Sequence, residues 1–147
     1  MRLEPSYRVR FTYPEEWGVA IEGDAGSQAA FFFIAEGRVE GRLTGRFRGA
    51  NHPQRRTDGT FCPDFQGVIE TDDGAEILFD MHGYGRAYPV GRRQIVVAVT
   101  HVSDDERYRR LNDVLSVGVG EVRAGEGDDP TELVIDVAEL VWEPIEE

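Results

Sequence analysis

Short runs of alternating apolar and polar residues dominate the chain, and turn residues separate these runs. The most regular run is Arg38–Arg48, in which apolar or glycine positions alternate with polar positions. A period of two is typical of a β-strand whose two faces meet different surroundings. Turns are predicted at Pro14–Glu16, Gly23–Ser27 and Gly125–Pro130. Further strands are predicted at 7–13, 17–21, 30–35, 65–70, 77–81, 95–101, 115–122 and 133–142.

Thr71–Gly74 lies between two apolar runs and predicts a β-hairpin. An Asp-Gly pair favours such a turn because tight hairpin turns need residues with positive φ. A two-residue turn would place His82 opposite Phe65, whereas a three-residue turn with a bulge would place it on the Asp64 face. The sequence leaves the register of this hairpin open.

Only one segment indicates a helix. Ser103 and Glu106 match a capping box, in which the two side chains satisfy free backbone N–H groups at a helix start. A short helix is therefore expected over about residues 104–111.

Eight to ten short strands with one short helix predict an all-β domain over residues 1–147. The glycine pairs Gly41/Gly45 and Gly118/Gly120 each lie on a single strand face. A strongly curved sheet needs small residues at such places, so a closed or nearly closed antiparallel barrel is favoured over a sandwich.

The charge pattern excludes several functions. The net charge is −12, and all 16 basic residues are arginines. Such acidity argues against nucleic acid and anionic membranes as partners. The lack of lysine excludes lysine Schiff bases and lysine-containing phosphate loops. Cys62 is the single cysteine and no apolar leader precedes the first strand, so a reducing, cytoplasmic location is expected.

Several short motifs, in order, resemble a bacterial and fungal family known as domain of unknown function 3237. The resemblance implies a closed antiparallel barrel, broadly lipocalin-like in shape, and supplies no established general activity. Gln66 stands where the family pattern leads us to expect an arginine. The motifs are Asp58-Gly59, Asp64, Thr71–Ala75, Gly83, Tyr108, Leu111-Asn112 and Leu115–Glu121.

Three residues are candidate catalytic groups. Asp64 is one of the residues on which the family resemblance rests. Burial in a small barrel would raise the pKa of its carboxyl, which could then act as a general base. His82 and Tyr84 alternate on the following strand and would add an imidazole and a phenol. The competing interpretations are a solvated outer face for Asp64 and a polar sheet-exit loop for the other two.

Four further residues are candidate ligand-binding groups: Arg46, Gln66, Arg86 and Asn112. An inward Arg46 would bind a carboxylate or phosphate, whereas an outward one would pair with acidic residues of neighbouring strands. Asn112 would place an amide at the barrel mouth or cap the end of the predicted helix.

Metal and cofactor binding are not predicted. The histidines His52, His82 and His101 are scattered, and no recognised ligand spacing occurs. Asp80, His82 and His101 could meet only across strands. Gly118-Val119-Gly120 lacks the third glycine and the following helix of a dinucleotide fingerprint.

The leading functional hypothesis is a small-molecule-binding barrel whose ligand is a small organic compound with an acidic or carbonyl group. One alternative is an enzyme on the same barrel that performs cofactor-independent isomerisation, cyclisation or dehydration. A third is a structural or partner-binding module that forms a homo-oligomer, such as a homodimer, through a sheet edge.

Overall fold

The computed structural model describes residues 1–86 and 93–147. Almost all of the regular structure is β-strand, and a single short 3₁₀ helix, Arg109–Asp113, occurs in this part of the chain. The strands are β1 Arg2–Gly23, β2 Gly26–Gly41, β3 Gly45–Asn51, β4 Gln54–Arg55, β5 Phe61–Cys62, β6 Asp64–Thr71, β7 Glu76–Arg86, β8 Arg93–Val102, β9 Ser116–Arg123 and β10 Glu132–Val141.

The eight longer strands close into an antiparallel ring. Its order is β1–β2–β3–β6–β7–β8–β9–β10, and β1 completes the ring by pairing with both β2 and β10. The short strands β4 and β5 link β2 to β7 at one end of the ring. The closed antiparallel barrel expected from the sequence is therefore confirmed.

Two predicted strand boundaries are wrong. The predicted turn at Pro14–Glu16 is a bulge within β1, which continues to Gly23 because its far half pairs with β2. The regular stretch Arg38–Arg48 is not one strand, since β2 ends at Gly41 and β3 begins at Gly45. Val39 pairs with Gly45 across this turn, so the alternation of inner and outer residues continues on both sides of it.

The predicted helix over 104–111 is also wrong. The Ser103 hydroxyl does not cap a helix but donates to the carbonyl of Glu76 at 2.7 Å. The carboxylate of Asp105 accepts hydrogen bonds from the Arg107 side chain at 2.8 and 2.9 Å. These local bonds hold the residues before the 3₁₀ helix as a loop. The 3₁₀ helix Arg109–Asp113 is therefore the only helical part of this segment.

Aromatic and aliphatic side chains fill the middle of the barrel. Phe47 stacks on Phe79 with ring centroids 4.6 Å apart, and Phe11 and Phe65 complete this aromatic cluster. Glycines allow the strands around it to approach closely. A Cβ atom on Gly45 would lie 2.2 Å from the carbonyl oxygen of Glu70, so any larger residue would move the backbone.

Ion pairs between neighbouring strands cover much of the outer surface. Arg8 binds Asp136 through two hydrogen bonds of 2.6 and 2.9 Å, and Arg10 binds Glu132 at 2.9 Å. In the described ranges, no helix combines the length and apolar character needed to cross a membrane.

Candidate functional site

One end of the barrel contains an open cavity of about 440 Å³. The cavity lies above the aromatic cluster and extends to the end where β4 and β5 pair. Its walls are mostly apolar, with a few polar side chains among them, as is typical of small-molecule sites. The apolar walls include Phe33, Phe65, Met81, Ile95, Leu133 and Ile135.

Stacked aromatic rings form one wall of the cavity. Tyr13 on β1 stacks on Phe33 of β2 with centroids 4.5 Å apart, and Phe33 stacks on Phe31 at 5.6 Å. Phe11, two residues before Tyr13 on the same strand face, meets the Tyr13 ring edge-on at 5.5 Å. The position of the Tyr13 ring is therefore defined on both sides by packing.

A tyrosine–asparagine pair provides the polar groups of this wall. The Asn51 Nδ2 donates to the Tyr13 hydroxyl oxygen at 2.9 Å, and the backbone N–H of Asp64 donates to Asn51 Oδ1 at 3.1 Å. Asn51 is only 6% exposed. Burial raises the pKa of Tyr13 to about 12, although the hydrogen bond from Asn51 opposes the rise. The phenol therefore stays protonated near neutral pH.

Three more polar residues line the cavity: Glu16, Arg93 and Thr131. The guanidinium of Arg93 lies over the ring of Phe61, 4.6 Å from its centroid. This contact is a cation–π interaction and helps to hold the arginine against the cavity wall.

Asp64, Gln66 and His82 come together on the outer surface instead of in the cavity. Gln66 Nε2 donates to Asp64 Oδ1 at 2.6 Å, and His82 Nδ1 lies 3.8 Å from the same oxygen. His82 Nε2 lies 2.5 Å from Asp80 Oδ1. The side chains of His82 and Asp64 are 59% and 52% exposed, so solvent surrounds this polar group.

Tyr84, Arg86 and Arg46 also face outward. Tyr84 lies beneath the guanidinium of Arg56, 5.8 Å from its ring centroid. Arg46 Nε donates to Glu36 at 2.7 Å, and this hydrogen bond holds the pKa of the Glu36 carboxyl below its usual value. Arg46 is thus in the outward, paired arrangement that the sequence left open.

Asn112 does not reach the cavity. Its Oδ1 accepts from the backbone N–H of Ser103 at 2.8 Å, and its Nδ2 donates to the Ser103 carbonyl at 2.9 Å. The side chain therefore joins the 3₁₀ helix to the end of β8. The expectation that the predicted site residues converge on one cavity is wrong, and a role of these residues in binding or catalysis stays a prediction.

Sequence reasoning missed the residues that line the cavity. Tyr13 continues the inward row of Val9 and Phe11 on β1, and Asn51 continues the inward row of Phe47 on β3. Tyr13 is already the last residue of the predicted strand 7–13, and Asn51 would have been included if the strand predicted to end at Arg48 had been extended by a few positions. The turn predicted directly after Tyr13 and the end of the predicted strand at Arg48 hid the signal.

The opposite end of the barrel holds a second buried polar group. The Tyr7 hydroxyl and His101 Nε2 are 2.7 Å apart, and burial lowers the pKa of His101 to about 4. Nearby, Glu139 is buried and accepts from Arg110 at 2.8 and 3.1 Å. In the residues that the structure describes, no three His, Cys, Asp or Glu side chains are arranged to hold a metal ion.

The fold and cavity define the chain as a closed antiparallel β-barrel with an open, mostly apolar lumen. Residues 1–140 match the model of a family described as protein of unknown function, DUF3237, and the chain belongs to that family. No curated protein matches the chain.

Solved structures with the same fold come from bacteria and a fungus. A β-barrel like protein from Acinetobacter baumannii AYE has 23% identity and a TM-score of 0.72, with 94% of each chain covered. A protein with unknown function from Clostridium acetobutylicum has 18% identity and a TM-score of 0.75, with 96% of this chain and 100% of that chain covered. An enzyme from Penicillium herquei has 24% identity and a TM-score of 0.65, with 92% and 93% covered.

Proposed function

We propose that the protein binds a small, mainly apolar organic molecule in the lumen of the barrel. The observation that carries the proposal is the open cavity of about 440 Å³, which has aromatic and aliphatic walls. Its volume lies within the range of about 300–1,000 Å³ that is typical of small-molecule sites. The Tyr13–Asn51 pair adds polar groups that can orient such a ligand.

An enzyme on the same barrel is the second candidate. One structure of the same fold is described as an enzyme, from Penicillium herquei. Catalysis by Asp64, His82 and Tyr84 would have to occur on the outer surface, where water competes for every hydrogen bond. The lumen, whose walls are mostly apolar, is the better place for a reaction. Binding there is a requirement that both functions share.

Two further expectations accompany the proposal. A cytoplasmic location is consistent with the single cysteine. The outer surface also has exposed apolar residues on neighbouring strands, Val96 and Val119, which are suited to contact between two copies of the chain.

Filling the lumen should prevent ligand binding. Ile95 lines the cavity, and its partners across the two neighbouring strands are Gly85 and Gly120. Because neither cross-strand partner carries a side chain, an Ile95→Trp side chain is expected to extend into the cavity and reduce its volume. We expect the variant to bind the neutral fluorescent probe N-phenyl-1-naphthylamine at least about tenfold more weakly than the wild-type protein. The measurement is a fluorescence titration.

The matched control is Val96→Trp. Val96 is the next residue on β8 and faces solvent, so its replacement adds the same side chain outside the barrel. Both variants should show cooperative thermal unfolding, which confirms that each is folded. Wild-type protein that does not bind the probe, or equal binding by wild type and Ile95→Trp, would overturn the proposal.

A further inference from the structure

The hydrogen bonds around Asn51 define the orientation of its amide group. The backbone N–H of Asp64 can only donate, so the atom of Asn51 that faces it at 3.1 Å must be the carbonyl oxygen. The amide NH₂ therefore faces the Tyr13 hydroxyl at 2.9 Å. An amide nitrogen donates and cannot accept, so the Tyr13 oxygen accepts this hydrogen bond.

The Tyr13 hydroxyl proton is consequently available. The phenol oxygen accepts from Asn51, and among residues 1–86 and 93–147 no acceptor for its own O–H is found. Tyr13 is packed between Phe11 and Phe33, so the ring cannot turn away from the cavity wall. Tyr13 is partly buried at the cavity wall, and a ligand that covers its hydroxyl must either supply an acceptor or leave the donor unsatisfied, which costs free energy.

We propose that the Tyr13 hydroxyl donates a hydrogen bond to a carbonyl oxygen of the ligand, so that the lumen selects neutral, apolar compounds with a ketone, aldehyde, ester or quinone group. This inference rests on the proposed function. The high pKa of Tyr13, about 12, keeps the donor proton in place over the physiological range.

The surroundings of Tyr13 favour a neutral acceptor over a carboxylate. A buried carboxylate needs a cation or several donors to offset its lost hydration. No arginine hydrogen-bonds Tyr13 or Asn51 in the described part of the chain, and the cavity-lining Arg93 lies over Phe61. A neutral hydroxyl donor in a mostly apolar wall matches a carbonyl oxygen in an otherwise apolar molecule.

The test compares two probes of nearly the same shape, 2-acetylnaphthalene and 2-isopropenylnaphthalene. They differ in one group, since a C=CH₂ in the second replaces the C=O of the first. Tyr13→Phe keeps the ring and removes the hydroxyl. We expect it to weaken binding of the ketone about five- to tenfold, the usual worth of one buried hydrogen bond, and to change binding of the alkene less than twofold.

Asn51→Asp is a second, independent variant. An aspartate in this position would accept the Tyr13 proton itself, so the phenol would remain but could no longer donate to the ligand. This variant should also weaken ketone binding and leave alkene binding unchanged. Tyr108→Phe removes a hydroxyl that donates to Asp73 outside the cavity and is the matched control, with no effect on either probe.

Infrared spectroscopy of the bound ketone gives a direct readout. Hydrogen bonding lowers the carbonyl stretching frequency, so this band should lie at a lower frequency in the wild-type protein than in Tyr13→Phe. If both probes bind and Tyr13→Phe affects them equally, the donor inference is wrong and the proposed function stands. If neither probe binds the wild-type protein, the proposed function fails, and the inference fails with it.

Discussion

Replacing Phe47 by alanine is expected to lower the free energy of unfolding by about 4 kcal/mol. Phe47 is fully buried and packs against Phe79, Phe11 and Phe65, with ring centroids 4.6, 5.2 and 5.7 Å away. Truncation loses these contacts and leaves a void in the aromatic cluster, which the surrounding strands of a closed ring cannot readily fill. Urea unfolding, followed by near-ultraviolet circular dichroism, measures the change.

Phe32→Ala is the matched control for this prediction. Phe32 lies on the part of the β1–β2 hairpin that extends beyond the pairing of β1 with β10, and it is 42% exposed. Its truncation should cost less than about 1.5 kcal/mol, because much of its ring is already in water. Equal losses for the two variants would contradict the assignment of the barrel centre as the core.

Acidification is expected to destabilise the protein through His101. Burial lowers the pKa of His101 to about 4, whereas an unfolded histidine has a pKa of 6.5. Between these values the unfolded chain binds a proton that the folded protein does not bind. The contribution is fully present above about pH 6.5 and decreases as the pH falls to about 4, with a total of about 3 kcal/mol.

The measurement compares unfolding free energies at pH 7 and pH 4 for the wild type and His101→Gln. Glutamine can still hydrogen-bond the Tyr7 hydroxyl but does not titrate. Carboxyl groups titrate in both proteins, so the difference in their pH dependence isolates His101. We expect the wild type to lose about 3 kcal/mol more than the variant. An equal loss in the wild type and His101→Gln would contradict the prediction.

Alternation along the chain was enough to predict an all-β domain, and the glycine positions and the family resemblance favoured a barrel, but the register of its hairpins was not predictable. In the hairpin turn, the backbone N–H of Thr71 donates to the carbonyl oxygen of Ala75 at 2.9 Å, and Gly74 between them has a φ of +93°. The turn therefore has three residues, and Asp64 pairs with His82. Both side chains lie on the face of the hairpin that forms the outer surface of the barrel. Which face is the outer one depends on how the ring closes, and a single hairpin does not determine this.

The candidate site was missed because its residues lie next to strong turn signals. Pro14 follows Tyr13 directly and predicted the end of a strand. In the structure Pro14 lies in a bulge of β1, and the strand continues after it. A proline can occupy such a position because a bulge leaves one residue out of the ladder of hydrogen bonds. For Arg46 the sequence left an inward and an outward orientation open, because the strand that would pair with it could not be identified. The structure has it outward, paired with Glu36 on β2.

Methyl-resolved NMR during a titration with N-phenyl-1-naphthylamine tests the lumen site most directly. Ile95, Leu133 and Ile135 line the cavity, whereas Val96 and Val119 lie on the outer face of the same sheet. An aromatic ligand shifts the resonances of methyl groups that it contacts. The lumen site predicts saturable shifts for the three inner residues and none for the two outer valines. Shifts confined to the outer valines, or no shifts at all, would contradict it.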